Sequence, residues 1–173
     1  MADEGFELEG HRMLYEYILS NPGVHLRRIS RDLNISLSTL RYQIRFLEKK
    51  GILTGKKERN FKVFFAADRM GSEDRTLASL MQQKRFRDIV LTILNDSGAT
   101  HSEISVLLRL KPPALSKYLR VLIDREIVIP VKEGRKKRFY LADEKRVLRV
   151  LLTYRKSFWD PFVDMALETY YEE

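Results

Sequence analysis

The stretch from Ser36 to Lys50 combines side chains that could contact a nucleic acid. If it forms a helix, Leu37, Leu40, Ile44 and Leu47 share one apolar stripe, at the spacing of a side that faces a core. Arginine pairs bidentately with guanine, and serine or threonine contacts bases or phosphates. Hydrogen-bond donors and cations make up the opposite side: Ser38, Thr39, Arg41, Tyr42, Arg45 and Lys49. The pattern favours a helix that reads base edges in the major groove, with an ordinary solvated amphipathic helix as the alternative.

Two further cationic clusters lie in segments with the composition of β-hairpin tips. The first contains Lys56, Lys57, Arg59 and Lys62, and the second contains Lys132, Arg135, Lys136, Lys137 and Arg138. Basic hairpin tips lie on phosphates or in a minor groove in DNA complexes. A charged hairpin is also a common solubility device. Because four consecutive like charges repel each other, a nearby anion is the better explanation for residues 135–138. Arg27, Arg28 and Arg31 could also touch phosphates, or form a solvated face.

Composition places this 173-residue chain among globular proteins with an anionic partner. Apolar residues make up 44%, the net charge is +8 and the pI is about 9.7. Nucleic acid is the commonest such partner, ahead of an acidic membrane surface or an acidic protein. The absence of cysteine excludes disulfides and thiolate metal sites. No apolar run approaches about 18 residues, and the N-terminus lacks the regions of a signal peptide, so we expect a cytoplasmic protein without a membrane segment.

The elements around the first cluster can be predicted in chain order. Residues 1–9 are acidic and are expected to be loosely ordered, and a helix follows from Gly10 to Ser20. A short helix, His25 to Leu33, ends at a turn at Asn34. Gly51 ends the helix that begins at Ser36 or Ser38. Two short strands are then predicted, Ile52–Leu53 and Phe61–Phe65, on either side of a polar loop.

An internal repeat extends this order to the second half of the chain. Shifted by 75 positions, residues 11–68 align with residues 86–143 without a gap and with 17 identities in 58 pairs. Chance pairing would give roughly 6%. The second long helix is expected to begin at Pro112 or Pro113, followed by strands Ile127–Val131 and Arg138–Leu141. One folding unit therefore occurs twice.

The second copy places different residues at the positions predicted to contact bases. Ser116, Lys117 and Arg120 occupy the positions of Arg41, Tyr42 and Arg45, and Asp124 replaces Lys49. We therefore expect the first copy to read sequence and the second to contribute mainly contacts with the DNA backbone.

Three regions follow from the repeat. Residues 1–70 form the first domain, and residues 71–142 form a linker helix and the second domain. A linker helix that ran from Ser72 into the second copy near Asp96 would be about 36 Å long. Residues 143–173 are predicted to form helices rich in aromatic residues: Phe158, Trp159, Phe162, Tyr170 and Tyr171, with Leu167. This tail could pack onto the chain's own domains, form a dimer seam, or hold a small aromatic effector.

Three helices followed by a two-stranded hairpin resemble the winged helix-turn-helix, and the string TLRYQIRFLEKKGIL is similar to the recognition helix and first wing strand of archaeal ArsR-type and MarR-like regulators. Asn-Pro-Gly-Val-His at 21–25 is similar to that family as well. The resemblance implies a mainly α fold with small β-hairpin wings, two tandem winged helix-turn-helix domains and C-terminal helices. It also implies a transcription regulator that binds double-stranded DNA, often as a homodimer. The lack of cysteine, and of ligand spacing around His11, His25 and His101, separates this chain from the metal-sensing branch.

No catalytic or cofactor motif is evident, since phosphate-binding loops, nucleophile triads and metal motifs are missing from the sequence. We therefore expect neither an enzyme nor a cofactor. Two hypotheses remain: a sequence-specific DNA-binding transcriptional regulator, and a tandem winged-helix scaffold for protein interaction in a chromosome-organising or polymerase-associated complex.

Overall fold

The apolar spacing of each segment produces two units with the same order of helices and strands. The computed structural model describes residues 2–67 and 69–158, with side chains from Glu9 onward. The first unit extends from Met1 to Gln82 and the second from Gln83 to Glu173. Among the described residues, helices dominate both units and each unit has one small antiparallel sheet, so the prediction of a mainly helical fold with β-hairpin wings is confirmed.

The described residues of the first unit form four helices and three strands. In chain order they are α1 (Ala2–Ser20), β1 (Val24–His25), α2 (Leu26–Leu33), α3 (Leu37–Lys49), β2 (Leu53–Glu58), β3 (Phe61–Ala66) and α4 (Ser72–Met81). The apolar faces of α1, α2 and α3 meet the hairpin in one core. Its buried side chains include Leu14, Ile18, Ile29, Leu40, Ile44, Leu47, Leu53 and Phe64.

The described part of the second unit repeats this order, with its last described helix in the place of α4. Its elements are α5 (Lys84–Asn95), β4 (Ala99–Thr100), α6 (His101–Leu107), α7 (Pro112–Asp124), β5 (Val128–Glu133), β6 (Lys136–Leu141) and α8 (Glu144–Thr153). In each unit the short strand pairs with the hairpin, as Val24 with Phe64 and Ala99 with Phe139. The second pair lies 75 positions after the first in both strands.

Three local expectations were wrong. The first helix begins at Ala2, within the acidic segment expected to be loosely ordered. The hairpin strands include most of the polar segments between them, so the turns shrink to Arg59-Asn60 and Gly134-Arg135. Backbone pairing, which spacing of apolar residues cannot reveal, extends these strands. The two-residue strands β1 and β4 were also missed, because they are too short for a periodic pattern.

The stretch between the copies forms two helices rather than one rod. α4 ends at Met81 and α5 begins at Lys84. α4 is held to the first unit, since the Gln82 side-chain amide donates to the Pro22 carbonyl at 2.9 Å and Lys56 Nζ donates to Thr76 Oγ1 at 2.9 Å. The boundary between the two compact units follows Gln82, at the end of α4.

The helix α8, which follows the second hairpin, buries Val147, Leu148 and Leu151, while Leu152 is exposed. Phe158 is 1% exposed and makes an edge contact with Tyr154, so its ring is not available as an interface. The remaining tail aromatics, from Trp159 to Tyr171, lie outside the described residues. In the part of the chain that is described, no helix has the length and apolar character needed to cross a bilayer.

Candidate nucleic-acid interface

The candidate reading helix α3 is fixed at both ends by capping. Ser36 is the N-cap, and its Oγ accepts a hydrogen bond from the Thr39 amide at 3.2 Å. At the other end Gly51 adopts a positive φ of 70°, which favours glycine. Three side chains then anchor the helix in the core: Leu40 at 0% exposure, with Ile44 and Leu47 each at 3%. The face opposite these leucines and isoleucine is left to solvent.

The exposed face carries the predicted base-contacting set. Arg41, Tyr42, Arg45 and Lys49 are all exposed, with Tyr42 at 61%. Within residues 2–67 and 69–158, no hydrogen bond or ion pair holds any of these four side chains. Their donors are therefore available to a ligand. Leu37 was expected in the core stripe but is 36% exposed, because it occupies the first helical position, before the helix reaches the core.

Ser38 and Thr39 have a more local role than predicted. Both hydroxyls lie within hydrogen-bonding distance of Ser36 Oγ, at 3.0 Å and 2.8 Å. They form a hydroxyl cluster around the helix N-cap. Both remain exposed, so contact with a phosphate would compete with these local bonds.

An aromatic cluster beside α3 was not found from the sequence. Phe46 is 40% exposed, and its ring contacts one histidine and one lysine. The His11 ring stacks on it at 4.7 Å between centroids, and Lys50 Nζ lies 5.7 Å from its centroid. The only signal in the sequence was an apolar residue outside the predicted stripe. The cluster ties α1 to the outer side of α3.

The first hairpin pairs Lys62 and Lys56, two of its predicted cations, with carboxylates of the fold. Lys62 Nζ pairs with Glu48 of α3 at 2.7 Å, and Lys56 Nζ pairs with Glu58 at 3.2 Å. Lys57 is exposed on strand β2, and Arg59 is exposed in the turn, where its φ is 51°. Of the predicted cluster, Lys62 and Lys56 are thus less available to phosphates than the composition suggested.

In the second unit, α7 is positioned by the same three buried positions. Leu115, Leu119 and Leu122 are at most 3% exposed. Lys117 and Arg120 project from the opposite face and are exposed. Ser116 Oγ instead lies 3.0 Å from Nε2 of His101 at the start of α6.

The second hairpin presents most of its predicted cations but not Arg138. Arg138 Nε pairs with Glu133 at 3.0 Å, and its Nη1 donates to the Gly98 carbonyl at 2.8 Å. Lys132, Arg135, Lys136 and Lys137 are exposed. Strand alternation places Lys136 and Lys137 on opposite sides of β6, so the run of four cations does not form one patch.

The arginines of α2 mainly stabilise the first unit. Asp32 accepts from the Tyr17 hydroxyl at 2.6 Å and pairs with Arg28 at 3.4 Å and Arg31 at 3.0 Å. Burial, and then the hydrogen bond to Asp32, raises the pKa of Tyr17 to about 12. Burial alone would raise the pKa of Asp32, but the bonds from Tyr17 and Arg31 outweigh it and hold that pKa below its ordinary value. Arg27 remains an exposed candidate for phosphate contact.

The three histidines serve separate structural roles. His25 caps α2, where its Nδ1 accepts from the Arg28 amide at 3.2 Å. Burial, together with the charge of Arg28, lowers the pKa of His25, which keeps this acceptor neutral. His11 stacks on Phe46, and His101 contacts Ser116. Among the described residues, no group of three or more His, Asp or Glu is arranged to hold a metal ion.

Comparison with known proteins agrees with the geometry of the first unit. Residues 11–54 match a family model described as winged helix-turn-helix DNA-binding. The chain is also 32% identical over 132 residues to an uncharacterized HTH-type transcriptional regulator of Methanocaldococcus jannaschii. The alignment covers 76% of this chain and 33% of that protein, so the chain spans about a third of its relative's length. The predicted resemblance to winged helix-turn-helix regulators is confirmed.

Two solved structures share partial similarity with this chain. Reduced HlyU from Vibrio cholerae is 25% identical, with a TM-score of 0.43, over 49% of this chain and 88% of its own. A mutant of ZitR from Lactococcus lactis is 19% identical, with a TM-score of 0.33, over 80% of this chain and 82% of its own.

Proposed function

We propose that this protein is a transcriptional regulator that binds specific sites in double-stranded DNA, with α3 as the helix that reads base edges. The observation that carries the proposal is the outer face of α3. There Arg41 and Arg45 are exposed and held by no partner among the described residues, on a helix whose inner face is fully packed. A rigid helix with unengaged guanidinium groups is suited to bidentate contacts with guanine. The relative's description as a transcriptional regulator supports the same function.

The second unit acts in this proposal as a second winged-helix domain that binds mainly the DNA backbone. The strand registers of the two sheets correspond at a shift of 75 positions, which supports tandem domains. Exposed cations suited to phosphates lie on α7 and its hairpin: Lys117, Arg120, Lys132, Arg135, Lys136 and Lys137. The predicted regions 1–70, 71–142 and 143–173 remain part of the proposal, with the linker residues 71–82 packed as part of the first compact unit. A homodimer through the C-terminal region completes it.

Selection of binding sites from genomic DNA with the purified protein, followed by titration of the selected site, tests this function. The change Arg41→Ala with Arg45→Ala should weaken binding to the selected site by about 2–6 kcal/mol, at about 1–3 kcal/mol per bidentate pair. Binding to random DNA should fall far less. Arg12→Ala is the matched control, because Arg12 is also exposed but pairs with Glu16 along α1.

Two outcomes would overturn the proposal. Equal losses on selected and random DNA would remove α3 as the reading helix. No binding to any genomic fragment at low salt, together with stoichiometric capture of an acidic protein, would instead favour the interaction scaffold. The matching DNA-binding family model speaks against that scaffold.

A further inference from the structure

A cleft in the second unit lies between α7 and the hairpin β5–β6. Its volume is about 690 Å³, within the range of small-molecule sites. One side is formed by α7 and the start of α6, and the other by the two strands. The residues that line it are His101, Ser116, Lys117, Leu119, Arg120, Ile123, Asp124, Pro130, Lys137 and Phe139.

The lining combines an apolar surface with an excess of positive charge. Leu119 and Phe139 are each 3% exposed, and Ile123 and Pro130 are partly buried beside them. Three cations, Lys117, Arg120 and Lys137, share the cleft with one carboxylate, Asp124. None of these four charged groups has an ion-pair partner in the described part of the chain. An anion would complete this arrangement.

The equivalent place in the first unit is bridged by an ion pair. Glu48 and Lys62 stand where the second unit has Ile123 and Lys137, and they pair across the gap between α3 and the hairpin at 2.7 Å. Gly55 stands in place of Pro130, and a side chain there would collide with Lys62 and Glu48. The change from Glu48 to Ile123 thus removes the partner of the wing lysine and supplies an apolar wall.

We propose that this cleft binds a small amphipathic anion, with an aromatic or alkyl body against Leu119, Ile123, Pro130 and Phe139 and one carboxylate, sulfonate or phosphate group between the three cations. A charged head paired with cations over an apolar surface gains both charge-assisted hydrogen bonds and hydrophobic burial. The site does not depend on DNA binding. Because Lys117 and Arg120 also belong to the proposed DNA surface, ligand and DNA compete if both proposals hold.

Fluorescence titration with 8-anilinonaphthalene-1-sulfonate, an aromatic sulfonate, tests the site directly. Ile123→Glu recreates the ion pair of the first unit and should weaken probe binding about tenfold or more, the loss expected for a charge-assisted contact. Lys137→Gln should weaken it similarly while leaving the fold intact, since that lysine is exposed. Lys145→Gln on α8 is the matched control and should have no effect. Neutral N-phenyl-1-naphthylamine should bind far more weakly than the sulfonate.

Unchanged sulfonate binding in both Ile123→Glu and Lys137→Gln, or equal binding of the neutral probe, would overturn the proposal. Glu48→Ile provides the reciprocal test, because it should open a second probe site in the first unit. The two proposals can fail separately. If the protein binds the sulfonate but no DNA, only the proposed function is wrong. If it binds DNA but its binding of the sulfonate is unaffected by the cleft variants, only the proposed ligand site is wrong.

Discussion

The helices α3 and α7 bury the same positions and expose different chemistry. Leu40 and Leu115 are both at 0% exposure, and Leu47 and Leu122 occupy a second shared position in the core. On the outside, Arg41 and Tyr42 of α3 are replaced by Ser116 and Lys117 at the corresponding positions of α7. The inner pattern therefore specifies the fold, while the outer pattern separates a helix suited to base edges from one suited to phosphates.

The residues around the two helices also differ in their chemistry. In the first unit, ion pairs and hydrogen bonds close the surface: Lys62 with Glu48, and Tyr17 with Asp32. In the second, the positions of Glu48 and Asp32 are occupied by Ile123 and Leu107, and Leu107 is 62% exposed. At these positions, charged groups stabilise the first unit, whereas the second unit has an open cleft and exposed apolar side chains.

The largest expected effect tests whether each unit unfolds independently on its own hydrophobic core. Leu40→Ala and Leu115→Ala each remove a fully buried side chain and should each cost about 2–5 kcal/mol of unfolding free energy. Hydrogen exchange should accelerate in the helices of the altered unit and stay slow in the other. Equal acceleration in both units would show that the two unfold as one. Leu152→Ala, at an exposed leucine of α8, is the control and should cost much less.

Much of this comparison could be predicted from the sequence because it depends on periodicity. The spacing of Leu40, Ile44 and Leu47 predicted the buried face, and the turns at Asn34 and Gly51 followed from residues that tolerate a positive φ. Repetition of this pattern 75 positions later predicted the second unit's elements.

The pairing of individual charges could not be predicted. Nothing in the spacing of Glu48 and Lys62 shows that a helix and a strand bring them within 2.7 Å. Arg138 was counted with the exposed wing cations, yet it binds Glu133 and the Gly98 carbonyl. Such contacts depend on how elements pack, so composition overestimated the cations available to DNA.

The next effect tests whether α3 reads base edges while α7 contacts mainly phosphates. Lys117→Ala with Arg120→Ala should weaken binding to selected and random DNA alike, because phosphate contacts carry no sequence information. The slope of log K against log salt should fall by about 1.8, at about 0.9 for each phosphate that is no longer neutralised. Arg41→Ala with Arg45→Ala serves as the comparison, since it should reduce discrimination between sites. A changed base preference in the α7 variant would show that α7 also reads sequence.

A smaller effect concerns the Tyr17–Asp32 pair, which the second unit lacks. Asp32→Asn should cost about 1 kcal/mol at neutral pH, the value of a partly exposed hydrogen bond. Because the pKa of Asp32 is lowered in the folded state, its contribution is present above the ordinary value of 3.8 and is lost as pH falls below it. Denaturation of the first unit should therefore become less sensitive to acid in the variant.

The same pair has an alkaline counterpart with the opposite sign. The pKa of Tyr17 is raised to about 12, so its contribution is present below its ordinary value of 10.0 and is lost as pH rises through about 12. NMR titration of labelled tyrosine should show this pKa fall in Asp32→Asn, yet stay above 10.0, because burial is the larger cause. Tyr17→Phe assigns the resonance. No change of the Tyr17 titration would remove Asp32 as its partner.

The smallest effect separates the cations of the second wing. Lys136 is exposed and should contact a phosphate, so Lys136→Ala should lower the salt slope by about 0.9 without changing stability. Arg138 is already bound to Glu133 and the Gly98 carbonyl, so Arg138→Ala should barely alter the slope. It should instead destabilise the second unit by about 1 kcal/mol, because the Gly98 carbonyl loses its side-chain donor and Glu133, among the described residues, keeps only the hydrogen bond from Tyr140. The reverse result, a changed slope for Arg138→Ala and none for Lys136→Ala, would mean that DNA displaces Glu133 and recruits Arg138 as the wing's phosphate contact.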